Sequence, residues 1–178
     1  MFFCLSLFLG HTLFAQNETV EEIVKEEKQK KLVVEFSLTG GFYQESISLE
    51  LLCPGTKIYY TTDGSLPDAQ ATPYRGPIRI KKTTLVQAIA LQTGRKSKIT
   101  GNTYFIEEAE TSFPIISLGV TPSVLFDSET GLYVQGPNAN DSLWTKDGAN
   151  FWSRREVLIH TEFFEVDRKK EFSSLTGF

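Results

Sequence analysis

Between Leu32 and Ile106, apolar and polar residues alternate in short runs punctuated by Gly, Pro and Asp, a pattern that predicts an antiparallel all-β domain. Val33 to Leu38 reads as the first strand, stopped by Gly40-Gly41. Ile47, Leu49 and Leu51 alternate with Ser48 and Glu50, so one face of the second strand is core and the other is wet. Cys53-Pro54-Gly55 turns the chain into Ile58 to Thr62, a β-branched and aromatic run that ends at the turn dipeptide Asp63-Gly64. Two further strands follow, with Ile78 and Ile80 alternating with Arg79 and Lys81, and Val86, Ala88 and Ala90 alternating with Leu85, Gln87, Ile89 and Leu91. Thr93-Gly94-Arg95 is the next turn, and Asn102 to Ile106 completes the set. About six or seven strands of this length and spacing predict an Ig-like or fibronectin-like β-sandwich over residues 32–106.

Residues 107–112 read as a short acidic linker. A second pattern then opens with Phe113-Pro114, an extended Ile115 to Val120, and Thr121-Pro122 starting a short helix through Phe126, since proline is tolerated at the first helical position. Leu132-Tyr133-Val134 is predicted as a strand, residues 136–150 as a polar loop, and Glu156 to Glu165 as a strong final strand. On that strand Val157, Ile159, Thr161 and Phe163 share one face, and Leu158, His160, Glu162 and Phe164 the other. The fold class is thus all-β: the sandwich followed by an incomplete mixed α+β segment over residues 113–178.

The N-terminus changes the setting. Phe2 to Ala15 is almost wholly apolar, too short to span a bilayer comfortably, and gives way to polar Gln16-Asn17, which reads as a secretory signal over residues 1–15 without the usual basic start. Residues 16–31, dense in Glu, Lys and Gln, form a charged linker. The mature chain would be secreted or held in the cell envelope, with no transmembrane segment. Eighteen basic against 22 acidic residues give a net charge of -4, with no basic face, so nucleic-acid binding is excluded. Beyond the signal only Cys53 remains, which leaves no intrachain disulfide and reads as a small buried hydrophobe.

Candidate chemistry is sparse. Asp63 and Asp68 are turn-formers, because a calcium ion wants six to eight oxygen ligands and the alternating ladder is missing. Asn138, Asn140, Asp141, Asp147 and Asn150 make an oxygen-rich loop without the spacing of a calcium loop. His160 and Glu162, two apart on one strand face, form a possible acid/base pair but read as a cross-strand contact. No catalytic, cofactor-binding or metal-binding residue is assigned, and no cofactor is expected.

Residues 36–106 resemble the chitobiase/β-hexosaminidase C-terminal domain, an Ig-like repeat, through Gly41-Phe42-Tyr43, Ile58-Tyr59-Tyr60-Thr61-Thr62-Asp63-Gly64-Ser65-x-Pro67, Tyr74-x-Gly76-Pro77-Ile78 and Thr103-Tyr104. Residues 113–178 resemble the opening of the CotH-type spore-coat kinase family, through Phe113-Pro114-Ile115-Ile116-Ser117-Leu118, Leu125-Phe126-Asp127, Gly131-Leu132-Tyr133-Val134 and Asn150-Phe151-Trp152. Proteins of the second family run on into a nucleotide and metal region, so the resemblance implies a truncated head carrying no catalytic residue. Together the two imply a non-catalytic accessory or spacer module of a larger envelope protein, whose partners are its other domains or surface glycans. The alternatives are a truncated kinase head and a carbohydrate-binding module using Tyr43, Tyr59 and Trp144. A strand at Glu156 to Glu165 deprived of later partners would leave Phe163, Phe164 or Phe172 exposed, and the region after Thr111 less stable than the sandwich.

Overall fold

The computed structural model describes residues 31–177, so the signal-like segment and nearly all of the charged linker lie outside the described residues. Val33–Phe178 forms one compact unit. Its strands are β1 (Glu35–Phe36), β2 (Gly41–Tyr43), β3 (Ile47–Leu49), β4 (Leu51–Leu52), β5 (Lys57–Thr61), β6 (Thr72–Pro73), β7 (Ile78–Ile80), β8 (Thr84–Gln92), β9 (Arg95–Lys96), β10 (Thr100–Ile106), β11 (Ile115–Gly119), β12 (Leu158–Phe164) and β13 (Lys170–Gly177). One short helix, α1 (Pro122–Phe126), and a single 3-10 turn at Asn150–Trp152 interrupt the β structure.

The central sheet runs β2-β10-β8-β5-β6, with β9 also paired to β8. Its pairs are antiparallel except β2 with β10, which is parallel. Two small ladders, β1-β4 and β3-β7, contribute Leu51, Leu49 and Ile80 to a core that also buries Val34, Ile58, Val86, Ala88, Ala90, Tyr104 and Ile106. Tyr104 is wholly buried and donates its hydroxyl to the Leu38 carbonyl at 2.9 Å, which satisfies the one polar atom the core takes in with it. Burial pushes its pKa above the usual tyrosine range. This all-β sandwich is the expected fold class.

The turn after β5 is built as its residues dictate. Asp63 Oδ1 accepts the Ser65 backbone N–H at 3.0 Å and the Ser65 hydroxyl at 2.5 Å, and Gly64 supplies the positive φ of 84°. Those hydrogen bonds from Ser65 hold the Asp63 carboxyl below its ordinary pKa. The Ser65 carbonyl then receives the Thr61 hydroxyl at 2.5 Å and the buried Gln87 amide at 3.0 Å, tying the turn to β5 and β8. Asp68 closes a second turn by accepting the N–H groups of Gln70 and Ala71.

A third layer covers the other face of the central sheet. It is the antiparallel sheet β11-β12-β13, which meets the central sheet where Glu162 of β12 reaches β10 and Gly119 of β11 lies against Leu85 of β8. Two expectations are corrected here. The Glu156 to Glu165 segment does not present an unpaired edge: as β12 it is the central strand, flanked by β11 and by β13, which residues 170–177 supply. Phe164 is accordingly fully buried, while Phe172 is half exposed. Leu132 to Val134 is not a strand, because the Leu132 and Tyr133 N–H groups donate to the free carbonyls of Val124 and Leu125 at the end of α1, at 3.0 and 2.8 Å.

Candidate functional site

The most heavily organised polar group is the contact between β10 and β12. Glu162, fully buried, accepts the Thr103 backbone N–H through Oε2 at 2.7 Å and the Lys170 ammonium through Oε1 at 3.0 Å. Lys170 also donates to Asn102 Oδ1. His160 Nε2 stands 3.6 Å from Glu162 Oε2 and 3.2 Å from the Ser173 hydroxyl, and the Thr103 and Ser117 hydroxyls meet at 2.9 Å. Burial is the largest influence on Glu162 and pushes its pKa up. His160, the Thr103 N–H and the Lys170 charge together outweigh it, and the carboxyl sits below its ordinary value.

Glycines make this approach possible. A Cβ on Gly101 of β10 would lie 2.9 Å from His160 Cε1 and 3.1 Å from its Nδ1, so the glycine lets the imidazole approach the strand this closely. A Cβ on Gly119 of β11 would collide with the Leu85 side chain of β8. Gly64 does the same for backbone: its missing Cβ would sit 2.5 Å from the Val120 carbonyl carbon and oxygen, so the Asp63-Gly64 turn is also a docking point for the third sheet. An aromatic cluster seals the far end, where Phe42 stacks on Phe105 at 4.4 Å and both meet Phe164 edge-on at 5.7 and 5.3 Å. The Arg168 guanidinium lies 4.3 Å above the Phe42 ring.

Ser173, His160 and Glu162 are the residue types of a hydrolase triad, but the geometry cannot relay a proton. Both serine and carboxylate face the same ring nitrogen, Nε2, whereas a relay needs them on opposite nitrogens. His160 and Glu162 are also 3% and 0% exposed, out of reach of an outside substrate. The arrangement is a clamp between sheets, which agrees with the cross-strand reading of the pair. Sequence reasoning missed Thr103 and Lys170, because nothing in their spacing announces that they converge on Glu162.

The three aromatics singled out from the sequence are not brought together. Tyr43 ends β2, donates its hydroxyl to the Thr39 carbonyl at 2.6 Å, and borders a hollow of about 270 Å³ beside Phe42 and Arg168. Tyr59 lies on β5, three strands away from β2 across β10 and β8. It borders a separate cleft of about 280 Å³ with Lys57, Pro73, Tyr74 and Arg75. Trp144 is 92% exposed on a loop closed by the Asn140 N–H to the Asp147 carbonyl at 2.8 Å and by the Trp152 indole N–H to the Thr145 carbonyl at 2.7 Å. In that loop Asp141 pairs with Lys146 at 2.9 Å, so a lysine fills the place a cation would take.

The fold and its clamp define an all-β module of packed sheets. Residues 38–102 match the model of the chitobiase/beta-hexosaminidase C-terminal domain, which covers β2 to β9 and the start of β10 and leaves β1 and β11 to β13 outside. That domain is a non-catalytic accessory domain. No curated protein and no solved structure matches the chain. Among the described residues, no helix is long and apolar enough to cross a membrane.

Proposed function

We propose that the chain is a non-catalytic spacer module of a larger exported, CotH-like envelope protein, working beside surface glycans. What supports the non-catalytic reading is the accessory-domain match over residues 38–102. What supports the spacer reading is the Glu162–Thr103 hydrogen bond, which joins the sheet after the acidic linker to the sandwich before it. A spacer must transmit position, and a buried charge clamped across two sheets resists hinge motion better than a flexible linker would. Export rests on the apolar Phe2 to Ala15 segment, and the CotH-like assignment on the motifs after Phe113.

A specific protease site placed at residues 109–112 tests the spacer. After cleavage the two fragments should still elute together under native conditions, and separation at once would overturn the reading. Incubation with ATP and protein substrates should give phosphate transfer no higher than a blank.

A further inference from the structure

We propose that the cleft between β5 and the segment following β6 is a subsite for an acidic saccharide, with Tyr59 facing the sugar ring and Lys57 and Arg75 holding its carboxylate or sulfate. The proposal names a ligand for the accessory role and rests on that role being played beside glycans. The cleft of about 280 Å³ is lined by Lys57, Tyr59, Pro73, Tyr74 and Arg75 over Thr56 and Ile58, with no acidic residue among them. Two cations without a counter-charge at one small opening create a local positive potential on a chain whose net charge is -4.

The side chains of Lys57, Tyr59 and Arg75 make no hydrogen bond or ion pair with other described residues. By contrast Arg79, Lys146, Lys169 and Lys170 are all engaged, with Ser46, Asp141, Glu171 and Glu162. The platform itself is fixed. Tyr59 is opposite Pro73 in the β5-β6 ladder, the Tyr74 N–H donates to the Ile58 carbonyl at 2.8 Å, and the Tyr60 ring meets the Tyr74 ring edge-on at 6.5 Å. Tyr59 and Pro73 thus share one face of the ladder, and the Tyr60–Tyr74 contact on the other face holds the edge segment in place, so a ligand finds the Tyr59 backbone already positioned.

The chemistry selects a ring-bearing anion. Tyrosine rings present an electron-rich face to the C–H groups of a pyranose, and the arginine fork matches a carboxylate or sulfate. The volume falls just below the roughly 300–1,000 Å³ of pockets that enclose a small molecule, so an open cleft of this size suits one or two units of a chain lying across it.

The test is a titration of the whole chain by NMR and calorimetry at low salt, with an oligogalacturonate and with a neutral chito-oligosaccharide of equal length. The acidic oligomer should bind, and Lys57→Gln/Arg75→Gln and Tyr59→Ala should each weaken it at least about tenfold. Tyr43→Phe and Trp144→Ala should leave it unchanged, and matching thermal melts confirm that all variants fold. Absence of binding, equal affinity for the neutral oligomer, or indifference to the cleft substitutions would overturn the proposal. So would preference for a phosphopeptide or for anionic vesicles over the oligogalacturonate. Because the cleft lies wholly within β5, β6 and their flanks, this titration remains readable whether or not the fragments separate in the linker-cleavage experiment.

Discussion

The Glu162 carboxylate of β12 accepts the Thr103 backbone N–H of β10 at 2.7 Å, and neither residue is more than 4% exposed. An interior strand of a sandwich normally spends its N–H groups within its own sheet. Here one is spent on a charged side chain from the neighbouring sheet, which makes Glu162 a structural member of both.

Glu162→Ala strips partners from a buried N–H and from Lys170, and should cost about 3 kcal/mol in urea unfolding. Glu162→Gln keeps a neutral acceptor and should cost less. Equal stability of the alanine variant and the parent would show that the clamp is not holding the sheets.

Stability should fall in acid, and Glu162 should account for part of the fall. Its folded pKa lies below its ordinary value of 4.5, so its contribution is complete above that value and is lost as pH falls through the folded one. Unfolding free energies measured between pH 2 and pH 6 should show a shallower acid slope for Glu162→Gln than for the parent. Parallel slopes would count against the assignment.

Two glycines should differ in cost. Gly64→Ala places a Cβ against the rigid Val120 backbone at a φ of 84°, and should destabilise by roughly 2 kcal/mol or more. Gly119→Ala collides with the Leu85 side chain, which can rotate away, and approaches the His160 Cβ only to 3.3 Å, so it should cost less, and Leu85→Ala in the same chain should relieve the clash. The reverse order in thermal melts would contradict this packing.

Phe164→Ala empties a fully buried position that touches both Phe42 and Phe105, and should cost about 3–5 kcal/mol. Arg168→Ala removes a surface cation from above Phe42 and should cost about 1 kcal/mol or less. Chemical denaturation of the two variants separates these values.

Much of the sandwich was legible in the sequence because its elements are locally signalled. The alternation in Ile47 to Leu51, the Asp63-Gly64 turn and the Ile78 to Ile80 run all fix their geometry through neighbours within a few residues. Leu132 to Val134 misled for the opposite reason. Its composition suits a strand, but the carbonyls left open at the end of α1 claimed its N–H groups first. The Tyr59 cleft was half visible: Lys57 and Tyr59 share a strand face by period, yet Pro73 and Arg75 join them only through the pairing of β5 with β6.

By itself the sequence determined the all-β class, the principal strands of the sandwich, the turn chemistry of Asp63 and Asp68, and the short helix opened by Pro122, all of them set by backbone preference and period. Tertiary structure alone decided that β13 would complete a third sheet, that this sheet would pack on β10 and the Leu85 end of β8, and that Thr103 and Lys170 would converge on Glu162. The physical reason is sequence distance: Thr103 and Glu162 lie 59 residues apart, and only the burial of both sheet faces brings a charge and its partners into register.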